Sequence, residues 1–272
     1  MSPLPAETPM HASTDSPILV AEGLSKRFGD VVAVDALSFH LYKGDVLGLL
    51  GPNGAGKTTV IQLLLGILTP TSGSARLFGL EVRRHRRAIL QRVNFSSTYV
   101  SLPTNLTVRE NLTVFARLYG LRKPQRKIRT LLELFDIAPF SKRLTGALSS
   151  GQLTRLHLCK ALLNDPDVLF LDEPTASLDP DIAVRVRQTL RRLQQARAMT
   201  MIYTSHNMQE IEIMCDRLMF LSRGRLVMQG STQEVLRRAR HASLEDVFIS
   251  LARTGELRDV VEAAKEPPCG DA

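Results

Sequence analysis

Hydrophobic and polar residues alternate from Val31 to Phe39, and an unbroken apolar stretch, Val46-Leu-Gly-Leu-Leu50, follows. Alternation has the two-residue period of a strand with one wet face, whereas a short continuous apolar run marks a strand covered on both faces. Short β segments are therefore expected through 18–51, the last of them over 45–50. A glycine-rich turn comes next, and Lys57 to Leu68 reads as a helix stopped by Pro70, Ser72 and Gly73, with another strand over Ser74 to Phe78.

Beyond Thr107 the apolar spacing becomes helical. Leu112, Phe115, Ala116 and Tyr119 share one face, and Ile128, Leu131, Leu132 and Phe135 share another. Thr107 followed by Glu110 is a capping-box start, and Pro124 suits a first helical turn. After this all-helical insert, strand and helix alternate again: a helix near 151–164, a strand over 168–171, a helix over 180–196 and a strand over 199–205. Alternation of this kind predicts a largely parallel sheet. A hairpin over 217–229, turning at Arg223-Gly224, precedes helices capped by Ser231 with Glu234 and by Ser243.

Composition narrows the class. With 272 residues and 44% hydrophobic content the chain can bury a substantial core. Cys159, Cys215 and Cys269 are an odd set without close spacing, which argues against a disulfide framework or a cysteine metal site and fits a reducing compartment. The segment 1–17 lacks the apolar core of a signal peptide and is expected to be a disordered tail. No stretch approaches the roughly 20 apolar residues of a membrane helix. The net charge of +8 comes largely from clusters such as Arg83, Arg84, Arg86 and Arg87, then 122–127, and Arg237, Arg238 and Arg240. Such runs fit a solvated face first, with attraction to an anionic membrane surface or nucleic acid as alternatives.

The glycine-rich turn carries chemistry. Gly51-Pro52-Asn53-Gly54-Ala55-Gly56-Lys57-Thr58-Thr59 fits G-x-x-x-x-G-K-[ST] between a buried strand and a helix. Backbone N–H groups can wrap phosphate oxygens only where side chains do not obstruct them, and the helix N-terminus adds a positive field. Gly51, Gly54 and Gly56 give that access; Lys57 can place its charge on the β- and γ-phosphates, and the Thr58 hydroxyl can ligate Mg²⁺. Later, the apolar strand 168–171 delivers Asp172 and Glu173 to its C-terminal edge, where open α/β sheets bind ligands. Asp172 is expected to hold Mg²⁺ and Glu173 to orient or deprotonate an attacking water.

Leu148-Ser149-Ser150-Gly151-Gln152 is a close variant of LSGGQ and lies shortly before that strand. With it, from about Ile18 to Gly230, the chain resembles the ATP-binding cassette (ABC) ATPases. Ser177-Leu178-Asp179 matches the family's D-loop, His206 its switch histidine, and Phe28 stands where an aromatic stacks on adenine, although plain core packing also accounts for Phe28. The resemblance implies an α/β P-loop NTPase core with a mostly parallel sheet, an N-terminal antiparallel β subdomain and an inserted α-helical subdomain.

It implies an ATPase domain over 18–230 with the helical part at about 105–165, a C-terminal helical extension over 231–266, and a disordered tail over 267–272. It further implies ATP and Mg²⁺ as ligands, with Ser149, Gly151, Gln152 and Asp179 acting across a homodimer or heterodimer on nucleotide held by the partner's loop. The implied setting is peripheral, on the cytoplasmic side of the cell membrane, driving export through a transmembrane permease on a separate chain. Leu106-Thr-Val-Arg-Glu-Asn-Leu112, Leu118-Tyr-Gly120 and Ser243-Leu-Glu-Asp-Val-Phe248 are similar to the bacterial exporter branch.

Two positions depart from the family pattern. Where the family carries a glutamine between sheet and insert, this chain has Ser97 or Thr98, and Gln91 comes too early. A hydroxyl can still bond water or a metal-bound water, but it is shorter than an amide. Ser150 replaces the first glycine of the signature, which requires φ below zero there or room beside the phosphate. An ABC-type ATPase acting on DNA or ribosomes is the alternative. The absence of sustained heptads between phosphate loop and signature, and of a second cassette, argues against it.

Overall fold

The computed structural model describes residues 16–97, 101–241 and 243–254. The expected tails over 1–17 and 267–272 lie almost wholly outside this range, as do Thr98 and the last part of the C-terminal extension.

Two sheets organise the molecule. The first is antiparallel, in the order β2-β1-β4-β5, from β1 (Leu19–Phe28), β2 (Val31–Leu41), β4 (Ser72–Leu77) and β5 (Leu80–Glu81). The second has the order β10-β9-β3-β8-β7-β6, with β3 (Val46–Leu50), β6 (Val93–Ser97), β7 (Val168–Asp172), β8 (Thr200–Thr204), β9 (Arg217–Ser222) and β10 (Arg225–Gly230). Its strands pair in parallel except for β10, which closes the edge as the antiparallel arm of the predicted hairpin. Strands covered on both faces lose alternation. Hence β3 is apolar throughout and wholly buried, and β7 is buried up to Asp172.

Two cores lie on opposite faces of this parallel sheet. Val168 and Phe170 face the antiparallel sheet and α1 (Lys57–Leu64), joined by Val60, Ile61 and Leu64. Leu169 and Leu171 face the helical side, with Leu112 and Ala116 of α3 (Val108–Leu118), Ile128 and Leu132 of α4 (Gln125–Leu134), and Leu156 and Leu158 of α5 (Ser150–Ala161). One strand thus feeds both cores through its two-residue period. The capping box at Thr107 is present, with Glu110 N–H donating to Thr107 Oγ1 at 3.2 Å and Thr107 N–H to Glu110 Oε2 at 2.8 Å. Pro124 sits at the N-cap of α4.

Several elements differ from the sequence reading. α1 stops at Leu64, well before Leu68, because Gly66 turns the chain at φ +65°. The basic run forms a helix, α2 (Val82–Leu90), which buries Val82 and Ile89 and leaves its four arginines exposed, Arg84 pairing with Glu81 at 3.1 Å. β6 carries Asn94, Ser96 and Ser97 buried, so apolar counting passes over it. Asn94 is satisfied there by Asn164 at 2.9 Å and by Tyr119 OH at 3.1 Å. After α6 (Pro180–Arg197) and β8, a short helix, α7 (Met208–Met214), was also not legible; α8 (Thr232–Ala239) and α9 (Leu244–Thr254) start at the expected Ser231 and Ser243. Among the described residues no helix is long and apolar enough to cross a membrane.

Candidate nucleotide site

The C-terminal ends of β3, β7 and β8 open on one edge of the parallel sheet. From β3 the chain enters the loop Gly51–Gly56 and then α1, whose N-cap Gly56 has φ 101°. A Cβ on Gly51 would lie 2.2 Å from Leu221 O and one on Gly56 2.4 Å from Ala33 O, so the loop is pressed between the end of β9 and β2 in a conformation only glycine tolerates. Ala55 is buried beneath it while Asn53, Gly54 and Thr58 are exposed and Pro52 and Thr59 half-buried. Lys57 Nζ donates to Gly51 O at 2.5 Å and Pro52 O at 3.1 Å. Burial pulls its pKa down, opposed by the charges of Glu173 and Asp172, and this places lysine and both carboxylates in one electrostatic neighbourhood.

Asp172 ends β7 in register with Thr204 on one side and Ser97 on the other. Its Oδ1 accepts from Thr204 Oγ1 at 2.7 Å and its Oδ2 from Ser97 Oγ at 3.3 Å. Ser97, expected near the site as a substitute for glutamine, therefore stands beside the carboxylate; Thr98 lies outside the described residues.

Glu173 adopts φ +52°, a left-handed conformation that costs a non-glycine residue about 1–2 kcal/mol. Its N–H donates to Thr204 O at 3.2 Å and Thr204 Oγ1 at 3.3 Å, which holds the turn. Burial first, then the Asp172 and Glu210 carboxylates, push the Glu173 carboxyl up to about 7, against the opposing pull of Lys57. His206, just past β8, brings Nε2 to 3.6 Å from Glu173 Oε1 with its side chain half exposed. Phe248 of α9 stands edge-on to the imidazole, the centroids 6.5 Å apart.

The remaining predicted residues lie elsewhere on the surface. Phe28, at the end of β1, is 48% exposed with Lys26 Nζ 5.0 Å above its ring, so the core-packing account does not apply to it. Ser149 is the N-cap of α5: Gln152 N–H donates to Ser149 Oγ at 3.3 Å, and Ser149 N–H to Gln152 Oε1 at 3.1 Å. Ser150 is the first residue of that helix, so the Cβ it brings to the signature is accommodated in ordinary helical backbone. Gly151 packs on the D-loop, where a Cβ would lie 3.0 Å from Ser177 O. Asp179 caps α6 through its backbone alone. Among the described residues no hydrogen bond joins the signature to the phosphate loop.

Thr204 and Glu210 were missed by sequence reasoning. Thr204 acts through Asp172 and Glu210 through Thr175, both distant in sequence; Asn207 followed by Glu210, a helix-start spacing, was the one local signal that could have pointed to Glu210. Among the described residues no group of three or more His, Cys, Asp or Glu could hold a metal ion by itself. One carboxylate and one hydroxyl, Asp172 and Thr58, are hard oxygen donors that suit an ion completed by water and phosphate oxygens, the usual state of Mg²⁺.

A buried strand, a glycine loop with its lysine, and two carboxylates, one of them beside a histidine, are parts that suit a nucleoside triphosphate, and known proteins similar to this chain are ATP-binding cassettes. The family model described as ABC transporter matches residues 34–176. The chain is 43% identical over 215 residues to a Nod factor export ATP-binding protein I of Burkholderia pseudomallei (strain 1710b), covering 78% of this chain and 70% of that one. In structure it is similar to cbiO1 from Clostridium perfringens, part of the ABC transporter complex cbiONQ, with TM-score 0.73 and 26% identity over 92% of this chain and 100% of that one. The fold is also that of the cassette MJ0796, solved as a dimer bound to ADP and Pi, with TM-score 0.73 and 19% identity over 78% and 98% of the two chains. This chain therefore belongs to the ABC transporter family, as one of its ATP-binding cassettes.

Proposed function

We propose that this cassette hydrolyses ATP as a dimer, on the cytoplasmic face of the cell membrane, to drive export through a transmembrane permease on a separate chain. The observation that carries the reading is the convergence of Lys57, Asp172, Glu173 and His206 at the ends of β3, β7 and β8. The export relative supports the direction, and the structural relative cbiO1, named as part of the ABC transporter complex cbiONQ, supports a permease partner. The working unit is residues 18–230, with the helical part at about 105–165 facing the permease and 231–266 as an extension.

In this reading the amides of Gly51–Thr59 wrap the phosphates and Lys57 moves from the Gly51 and Pro52 carbonyls to the β- and γ-phosphates. Phe28, exposed at the end of β1, offers a face for adenine. Thr58 and Asp172 would hold Mg²⁺, which would supply positive charge to the phosphate oxygens. Glu173 accepts a proton from the attacking water. Its raised pKa brings it near the operating range of a general base. His206 bonds the γ-phosphate and fixes the same water. Ser149, Gly151, Gln152 and Asp179 complete the site of the partner copy, where the N-terminus of α5 meets the γ-phosphate.

The test is Mg²⁺-dependent ATP hydrolysis by the full chain. Lys57→Ala and Glu173→Gln are expected to lower kcat by two orders of magnitude or more, roughly the contribution of a positioned base or phosphate clamp. Chelation of Mg²⁺ is expected to abolish turnover in the parent. A Glu173→Gln variant that hydrolyses at the parent rate overturns the role given to Glu173.

A further inference from the structure

Glu210 is only 3% exposed, and among the described residues its carboxylate is met by hydroxyls and no cation. Thr175 Oγ1 lies 2.7 Å from both oxygens, Ser205 Oγ donates to Oε2 at 3.0 Å, and Tyr203 OH donates to Oε1. These three donors come from different places. Thr175 follows Glu173 by two residues, Ser205 immediately precedes His206, and Tyr203 is the next-to-last residue of β8. The fastening continues on the other side of the histidine, where Asn207 N–H donates to Ser205 Oγ at 3.1 Å and Asn207 Oδ1 accepts from Glu210 N–H at 3.1 Å.

We infer that Glu210 is a positioning residue for hydrolysis: one buried carboxylate fastens the segment carrying Glu173 to the segment carrying His206. This rests on the reading of those two residues given above.

A simple brace would be built differently. A buried carboxyl is a costly way to pin a helix to a sheet, since an apolar side chain of similar volume does so without desolvation. Hydroxyl bonds, in contrast, are directional and fix where the fastened backbone points. The turn that most needs fixing is the one at Glu173, held at φ +52°. Its N–H is tied to Thr204, and among the described residues the side-chain tie between it and Ala176 is that of Thr175 to Glu210. Released, the turn can relax toward ordinary backbone and carry the Glu173 carboxylate away from His206. A displacement of about 1 Å at a reacting group can cost about a hundredfold in rate.

The experiment compares ATP turnover and thermal unfolding of the full chain for the parent, Glu173→Gln, Glu210→Gln, Thr175→Val, the Glu210→Gln/Thr175→Val double variant, and Ile89→Val as a core truncation remote from the site. Glu210→Gln and Thr175→Val are expected to lower kcat about tenfold to a hundredfold, with KM for ATP changed by less than about twofold, because the phosphate loop is untouched. The double variant is expected to be little worse than Glu210→Gln alone, since the tie that Thr175→Val cuts is one of those made by Glu210. Ile89→Val is expected to lower the unfolding midpoint and leave kcat alone. If Glu210→Gln and Thr175→Val lower the midpoint as Ile89→Val does while keeping the parent kcat, Glu210 is only a brace and the inference fails although the functional reading stands. A rise in KM at constant kcat also overturns it. If Glu173→Gln itself keeps the parent rate, the reading of Glu173 fails and the inference falls with it.

Discussion

His157 is 2% exposed on α5, and neither ring nitrogen has a partner among the described residues. Burial first, then the charge of Lys160, pulls its pKa from 6.5 down to about 4. Between those values the unfolded chain binds a proton that the folded chain does not, so folding stability falls as pH drops through that window. His157→Leu removes both the unpaired nitrogens and the linkage. It is expected to raise unfolding free energy by about 1–3 kcal/mol at pH 5 and by less at pH 8, measured by urea unfolding at the two values. A leucine variant no more stable than the parent at pH 5 would show that the imidazole is satisfied after all. The same contrast between local and distant partners explains which site residues could be read from sequence. Lys57 closes a glycine loop and Asp172 and Glu173 close an apolar strand, each beside telling neighbours, and Ser97 was reached by its place between sheet and insert, whereas Glu210 matters through Thr175, 35 positions away.

At the scale of elements, the strands and helices whose polarity follows a single period were legible, and those that break it were not. β3, β7 and the capped helices α3, α8 and α9 fall where apolar runs and capping boxes put them. β6 hides behind buried Asn94, Ser96 and Ser97, and α2 behind its arginines, because side-chain polarity there answers to tertiary partners or to solvent. α9 shows what an element outside the motif-bearing region can contribute. Leu244, Val247 and Leu251 are buried in the same core as Val235 and Ala239 of α8, and this seats Phe248 edge-on to His206. An edge-on ring contact is worth about 0.5–1.5 kcal/mol. Phe248→Ala is therefore expected to loosen the imidazole and lower kcat for ATP about two- to tenfold, with a smaller drop in the unfolding midpoint than truncation of a fully buried core residue gives, because Phe248 is only partly buried against the core. Unaltered turnover in steady-state assays would mean that α9 does not hold the histidine in place.

At the scale of the whole molecule, the phosphate loop and the signature have no hydrogen bond between them within one chain, and the N-terminus of α5 offers exposed Ser149 to solvent. A helix N-terminus with free amides is a ready anion site. If it is completed only by a second copy, defects in loop and signature should complement each other across the dimer, a consequence that no amount of single-chain geometry contains. In a two-fold dimer of a Lys57→Ala chain with a Ser149→Arg chain, one site combines the two defects and the other is intact. Each variant alone has two damaged sites and is expected to be inactive. An equimolar mixture that exchanges subunits at random is half mixed dimers with one sound site each, so it should recover up to about a quarter of parent ATPase activity. If instead each chain closed its own signature on its own loop, every chain in the mixture would carry a damaged site and mixing would restore nothing. Recovery that rises with the mixed fraction as the subunit ratio is varied, and vanishes at either pure end, is the expected signature of a site shared between two copies.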